Sequence, residues 1–350
     1  MSVRERALLQ RVRAVCVEET DDRRLRRGVL EALRLDIDFD SFVWLLTDPL
    51  TGIGTAPLAE VPSRDRLPEL IRLRYQVRPR WTTLEPGRPV HGTAWAVTLA
   101  AYGVRDVVTV LFSDRFGLWG VLDLWRTGEA FDQRELDALA LVAADVTAAL
   151  RRAQAQALAT VPTGPAAYDG PAVLVLGPDL RPRTQTAPTE VYLRALLPPE
   201  ADGPPVPAAA YNVAAQLLSI EAGVDHGSPV ARAHLAGGRW LTFGAARLGQ
   251  DGDSDIAVTI SPIEPRDRLQ LFGRAHGLTN RESEVLGCLA DGEDTRGVGG
   301  RLHLSVLTVQ DHLKGVFEKT GIHSRRTLLS RALGVEALPT GGKAADATWG

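Results

Sequence analysis

The spacing of apolar and polar positions divides the chain into three blocks. In the first, residues 3–19 and 22–35 carry apolar side chains at three- and four-residue steps, which predicts two helices. Strand-like runs follow at "FDSFVWLLTDP" (39–49), "DVVTVLFSD" (106–114) and "LWGVLDLWR" (118–126). The short link "RFG" between the last two predicts a hairpin. From 131 to 159, Leu136, Leu139, Val142, Val146 and Leu150 form one apolar stripe on a long helix. That stripe is expected either to pack on its own sheet or to pair with the same helix of a second subunit.

The middle block alternates short β-type runs, "PAVLVLGPD", "RWLTFGAARLG" and "DIAVTISPI", with the helical run "AAAYNVAAQLLSIEAG", stopped by Gly223. Pro/Gly-rich stretches at 160–171 and 261–268 bound it, and a third at 197–207 reads as a loop inside it. The last block is all helix. Thr279 and Glu282 have the spacing of a capping box and Gly292 stops the first helix. Thr295, Ser305 and Ser324 are the expected caps of three more helices. The expected fold class is thus two α+β units with antiparallel sheets, at 1–160 and 168–264, followed by an all-α four-helix unit at 271–335. A disordered tail is expected at 336–350.

Composition narrows the function. The net charge is −3 and the pI about 6.2, so any polyanion site must be a local patch. Cys16 and Cys288 have no pair or metal-ligand spacing, and Cys16 is expected to be a small apolar filler, with a redox-sensing thiol as the alternative. Neither a signal-peptide core nor an apolar run of membrane length is evident, which gives an expectation of a cytoplasmic protein. Lysine occurs only at 314, 319 and 343. A phosphate loop ending in Gly-Lys-Ser/Thr is therefore excluded, as is a receiver domain with its lysine beside the aspartate pocket. No nucleophile–base motif or metal cluster is found, so the protein is not expected to be an enzyme and no cofactor or metal is expected.

Two of the three lysines fall on the third helix of the last block. There Val309, Leu313, Val316 and Phe317 share an inward face, which turns Gln310, Asp311, Lys314 and Glu318 outward. A solvated polar face is the plain reading. A hydroxyl and an amide on the first turn, Lys314 one turn on, and Arg325, Arg326 and Arg331 just downstream also suit a helix entering the major groove while cations grip phosphates. The stretch 278–330 resembles the DNA-binding domain of LuxR-type transcription regulators, through "LTNRESEVL", "LSVLTVQDHL" and "VFEKTGIHSRR". The resemblance implies base-facing roles for Gln310, Asp311 and Lys314, contacts from His312, and backbone contacts from Ser305, Thr308, Lys319, Arg325 and Arg326. It also implies that the fourth helix pairs two copies on double-stranded DNA as a homodimer. One departure is the second helix, "TRGVGGRL", where Gly297, Gly299 and Gly300 each cost up to ~1 kcal/mol against alanine. Alanine at all three is expected to raise the melting temperature. A rival reading is an adaptor that senses a small molecule and whose helical domain binds protein.

The stretch 105–150 resembles a GAF domain, and 170–197 with 237–248 resembles a PAS domain. Both resemblances imply cupped antiparallel sheets that sense an unknown small molecule or protein signal. Trp44, Trp95, Trp119 and Trp125 are the candidate pocket residues, with plain core packing as the alternative. His91, His226 and His234 stand alone, and the arginines at 23, 24, 26 and 27 are expected to be a solvated helix face.

Overall fold

The computed structural model describes residues 2–62, 64–160, 171–196, 207–235, 239–249 and 251–335. The tail at 336–350, the loop at 197–206 and most of the first Pro/Gly break lie outside the described residues. Helix α1 (Val3–Glu18) starts in a capping box: Ser2 Oγ accepts from the Glu5 amide, and Glu5 accepts from the Ser2 amide. The Asp21 carboxylate takes the first amides of α2 (Asp22–Arg34). Strands β1 (Ser41–Thr47) and β2 (Gly54–Glu60) come next, then α3 (Leu67–Gln76), α4 (Ala94–Leu99), β3 (Asp106–Asp114), β4 (Gly117–Arg126) and α5 (Gln133–Ala159). The antiparallel sheet runs β2-β1-β4-β3. The α5 stripe Leu136, Leu139, Val142, Val146 and Leu150 is buried in the core that includes this sheet, and α1 packs on the same helix. Of the two expectations for that stripe, packing within the chain is the one observed.

The second sheet is built from β5 (Ala172–Leu176), β6 (Pro182–Gln185), β7 (Val230–Leu235), β8 (Arg239–Arg247) and β9 (Ile256–Pro262), in the order β6-β5-β9-β8-β7, all antiparallel. Helix α6 (Ala187–Ala195) packs on β5, and α7 (Ala208–Glu221) packs on β8 with one side and on α3 and β2 with the other. Six of the first eight residues of α7 are alanine or valine, so it has no bulk to keep neighbours away and is buried almost all round. Tyr75, Trp81 and Leu111 of the first block join Val213, Phe243 and Ile260 of the second in one apolar cluster. The two sheets thus share a core. Seams between the blocks are also polar: Arg80 pairs with Asp225 at 3.1 Å, and Ser219 donates to the Tyr75 carbonyl at 2.9 Å.

Helix α8 (Pro265–Ala275) begins inside the stretch read from sequence as a break, with Pro265 in its first turn, where a missing amide costs nothing. It lays Leu271, Phe272 and Ala275 into the core that holds α5. Four further helices follow: α9 (Asn280–Ala290), α10 (Thr295–Leu302), α11 (Val306–Thr320) and α12 (Arg325–Leu333). Two arginines bind the blocks together. Arg232 on β7 donates to Asp48 at 2.9 Å and to Asp267 of α8 at 2.8 Å. Arg268, almost wholly buried, donates to the carbonyls of Leu158, Thr160 and Arg331 at 2.8, 3.3 and 3.4 Å.

Several sequence expectations need correction. Arg26 is buried, donating to the carbonyls of Trp44 and Ala56 and pairing with Asp22 at 2.6 Å, so that run is not a uniformly solvated face. The four tryptophans do not line one pocket. A register shift beyond Phe112 breaks the two-residue alternation of β4, so Trp119 joins Trp44 in the core on the α5 side. Trp125 joins Trp95 in a separate cluster with α3 and α4, their rings edge to face at 6.3 Å. Between α3 and the sheet, Arg74 forms a buried two-pronged pair with Asp123 at 3.0 and 3.1 Å, its guanidinium 5.1 Å from the Trp81 ring and 5.4 Å from that of Trp95. Side chains of the chain itself fill that space.

Candidate nucleic-acid interface

The geometry of the last four helices is set locally by their caps. Thr279 and Glu282 close a capping box on α9, as the spacing predicts. Helix α10 is capped by Asp294, whose carboxylate accepts from the Gly297 amide at 2.7 Å, and not by Thr295, which is its first residue. It ends at His303, which takes the left-handed conformation (φ 55°) and turns the chain sharply into α11. Ser305 caps α11, accepting from the Thr308 amide at 3.0 Å, and its hydroxyl lies 2.8 Å from that of Thr308. Gly321 (φ 66°) ends α11, and Ser324 caps α12.

The inward face of α11 is as expected. Val309, Leu313 and Val316 are buried, with Val309 and Leu313 against Val285, Cys288, Leu289 and Val298, and Phe317 is packed at the edge. Asp311, Lys314 and Glu318 are exposed along the opposite side, and Gln310 is half-buried beside them. Nothing else in the described chain covers this face. His312 is half-buried and, one residue on from Asp311, projects from a different side of the helix.

Four of the expected contact residues, Lys319, Arg325, Ser305 and Thr308, have partners inside the domain. The Lys319 ammonium is 2.6 and 2.9 Å from the two carboxylate oxygens of Glu282. This pair, with the hydrogen bonds of the capping box, holds the Glu282 carboxyl below its ordinary range against the opposing effect of burial. The arrangement ties α11 to the start of α9, and a β-carbon at Gly315 would lie 2.7 Å from Glu282 Oε1. Lys319 is thus an internal tether in the chain by itself, with its side chain still partly exposed. Arg325 is half-buried and donates to the Glu293 carbonyl. Ser305 serves its own helix. Arg326 is exposed.

Between Arg281 and Arg331 there are eight cationic and seven acidic side chains. Pairing is uneven in its effect. Arg281 takes Glu284, Lys319 takes Glu282, and Arg301 takes Asp291 with Glu293 nearby. This leaves Arg296, Lys314, Arg325, Arg326 and Arg331 against Asp294, Asp311 and Glu318, a local positive excess that the net charge conceals.

The described residues contain no group of three or more His, Cys, Asp or Glu side chains able to hold a metal, and no helix among them is long and apolar enough to cross a membrane. Cys16 is buried, as expected of a filler, and burial pushes its thiol up to about 11.

Residues 276–332 match the profile of bacterial regulatory proteins of the luxR family. Over 56 residues the chain is 41% identical to the uncharacterized response regulatory protein YgeK of Escherichia coli (strain K12), a match covering 16% of this chain and 38% of that protein. The chain thus spans well under half the length of this curated relative. A chain of the Vibrio cholera VqmA–ligand–DNA complex is 23% identical, over 31% of this chain and 56% of that one, with a TM-score of 0.16. The C-terminal helical domain, comprising the matched residues, is a luxR-family helix-turn-helix domain.

Proposed function

We propose that the protein is a sequence-specific, DNA-binding transcription regulator whose two sheet-containing blocks carry a sensory function. The observation that bears most weight is the uncovered face of α11: in a luxR-family domain, Gln310, Asp311 and Lys314 project from the open side of the helix that follows the turn at His303. In the major groove an amide suits adenine, a carboxylate suits the cytosine amino group, and an ammonium suits guanine. Arg326, with Arg325 at the start of α12, supplies charge for the adjacent phosphates. The GAF-like and PAS-like readings draw support from two antiparallel sheets flanked by helices. Under this reading a small molecule or a protein acts on those blocks, and the protein works in the cytoplasm as a homodimer on a near-palindromic site.

The test is a selection of duplexes from a random pool by the full chain, followed by titration of the selected duplex at several salt concentrations. The logarithm of affinity should fall linearly with that of salt. Lys314→Ala should weaken binding and relax preference at one base pair. Arg326→Ala should weaken all duplexes alike and flatten the salt slope by about one. Absence of salt-dependent duplex binding would favour the adaptor reading, in which the acidic Asp311 and Glu318 belong to a protein-binding face.

A further inference from the structure

The nine large apolar residues that stand exposed in the described chain are mostly isolated: Val3, Val17, Leu35, Val97, Val191, Leu248 and Val335 have no exposed apolar neighbour in sequence. Single exposed residues of that kind are ordinary. Val306 (43% exposed) and Leu307 (68%) are the adjacent pair, and they form the first turn of α11. Neither belongs to an apolar cluster of the fold.

Position makes Leu307 more than a stray side chain. Leu307, Asp311, Lys314 and Glu318 are separated by four, three and four residues, so they form one straight stripe on a helix of 3.6 residues per turn. All four are exposed. Leu307 is the N-terminal end of the stripe, and the N-terminal residues of a recognition helix are those that meet base edges. A side chain without donor or acceptor contributes nothing to phosphate. Against the edge of adenine, guanine or cytosine it would strip water from polar groups and return no hydrogen bond. The C5-methyl of thymine is the alkyl group that the major groove presents.

We propose that Leu307 is a specificity-determining residue that packs on a thymine methyl, with Val306 at its flank. This rests on the DNA-binding reading and adds a base preference to it. Polar contacts further along the stripe then read the neighbouring pairs in register with that thymine.

The experiment uses the full chain and the duplex it selects. Each thymine in turn is replaced by deoxyuridine, which lacks the methyl group. At the contacted position this should weaken binding about fourfold, the factor that burying one methyl-sized group supplies. Leu307→Ala should bind more weakly and lose the distinction between thymine and deoxyuridine at that position. Its melting curve should change little, because the side chain is 68% exposed and belongs to no apolar cluster of the described residues. Leu307→Gln should shift selection at that position from thymine toward adenine. The proposal is overturned, with DNA binding intact, if the selected duplex binds but every deoxyuridine replacement is neutral. It is equally overturned if Leu307→Ala still distinguishes the two bases. If no duplex binds even at low salt, the DNA-binding reading fails and this inference falls with it.

Discussion

The three glycines of α10 look equivalent in the sequence, and the structure makes them different. Gly300 is exposed, and a β-carbon there meets nothing within 4 Å. Gly299 is buried; a β-carbon there would lie 2.8 Å from the carbonyl oxygen of Leu304, which also donates its amide to the Gly299 carbonyl at 2.9 Å. Backbone on both sides of that contact cannot rotate away. At Gly297 the obstacle is Glu293 Oε2, the mobile end of a long side chain. Gly300→Ala should therefore stabilise α10 by ~1 kcal/mol, the ordinary helix gain over glycine. Gly299→Ala receives the same gain and loses ~1–3 kcal/mol to overpacking. Helix propensity cancels when the two variants are compared, so their difference isolates the steric cost. Hydrogen exchange of the full chain, read on peptides covering α10 and the start of α11, should show Gly299→Ala exchanging about five- to 150-fold faster than Gly300→Ala. Equal exchange in the two variants would refute the close approach of Leu304 to Gly299. The expected rise in melting temperature with alanine at all three positions therefore sets the helix gain at Gly300 and Gly297 against the steric cost at Gly299.

Other measurements probe the seams and the interior. Burial drives His234 and His276 down to about 4 from the usual 6.5, so between these values the unfolded chain binds more protons. Stability should fall as pH is lowered through that window, and His234→Asn should flatten the fall in urea midpoints; an unchanged slope would refute the shift. Removing one partner of the buried Arg74–Asp123 pair should cost ~3–5 kcal/mol, whereas Arg74→Met with Asp123→Leu should recover most of it. A double variant as unstable as the sum of the singles would contradict this. Arg268→Met should leave carbonyls of Leu158, Thr160 and Arg331 without their donor, at ~1–3 kcal/mol each, and should speed exchange at the end of α5 and in α12 but not in the sheets.

What the sequence reveals is local. The capping box at Thr279, the caps at Ser305 and Ser324 and the stripe of α5 depend on residues three or four apart, and each appears as read. The elements missed have their reasons elsewhere. Strand β7, "VARAHL", alternates small alanines with half-buried Arg232 and His234, and it becomes a strand because it pairs with β8 along its length. Strand β6, "PRTQ", is exposed throughout and is held by β5. The burial of Arg26, the tether from Lys319 to Glu282 and the flipping of Trp119 by an irregular register are long-range facts, invisible to periodicity.

The same long-range packing bears on how two copies would meet. The resemblance gives the pairing role to the fourth helix, yet Leu328 and Ala332 of α12 are buried in the core that contains α5 and α8. Leu329 is partly buried and packs against both that core and the cluster of Val285 and α11. That leaves Arg326 and Thr327 as the exposed side chains of the helix, a cationic and polar edge with little apolar area to offer a second copy. Pairing through the apolar residues of α12 and packing of α12 on α5 therefore compete for the same side chains. A homodimer joined there needs α12 to leave α5, and Arg268, which donates to carbonyls at the end of α5 and on α12 at once, is one link that must break, with the packing of Leu328 and Ala332, for it to do so.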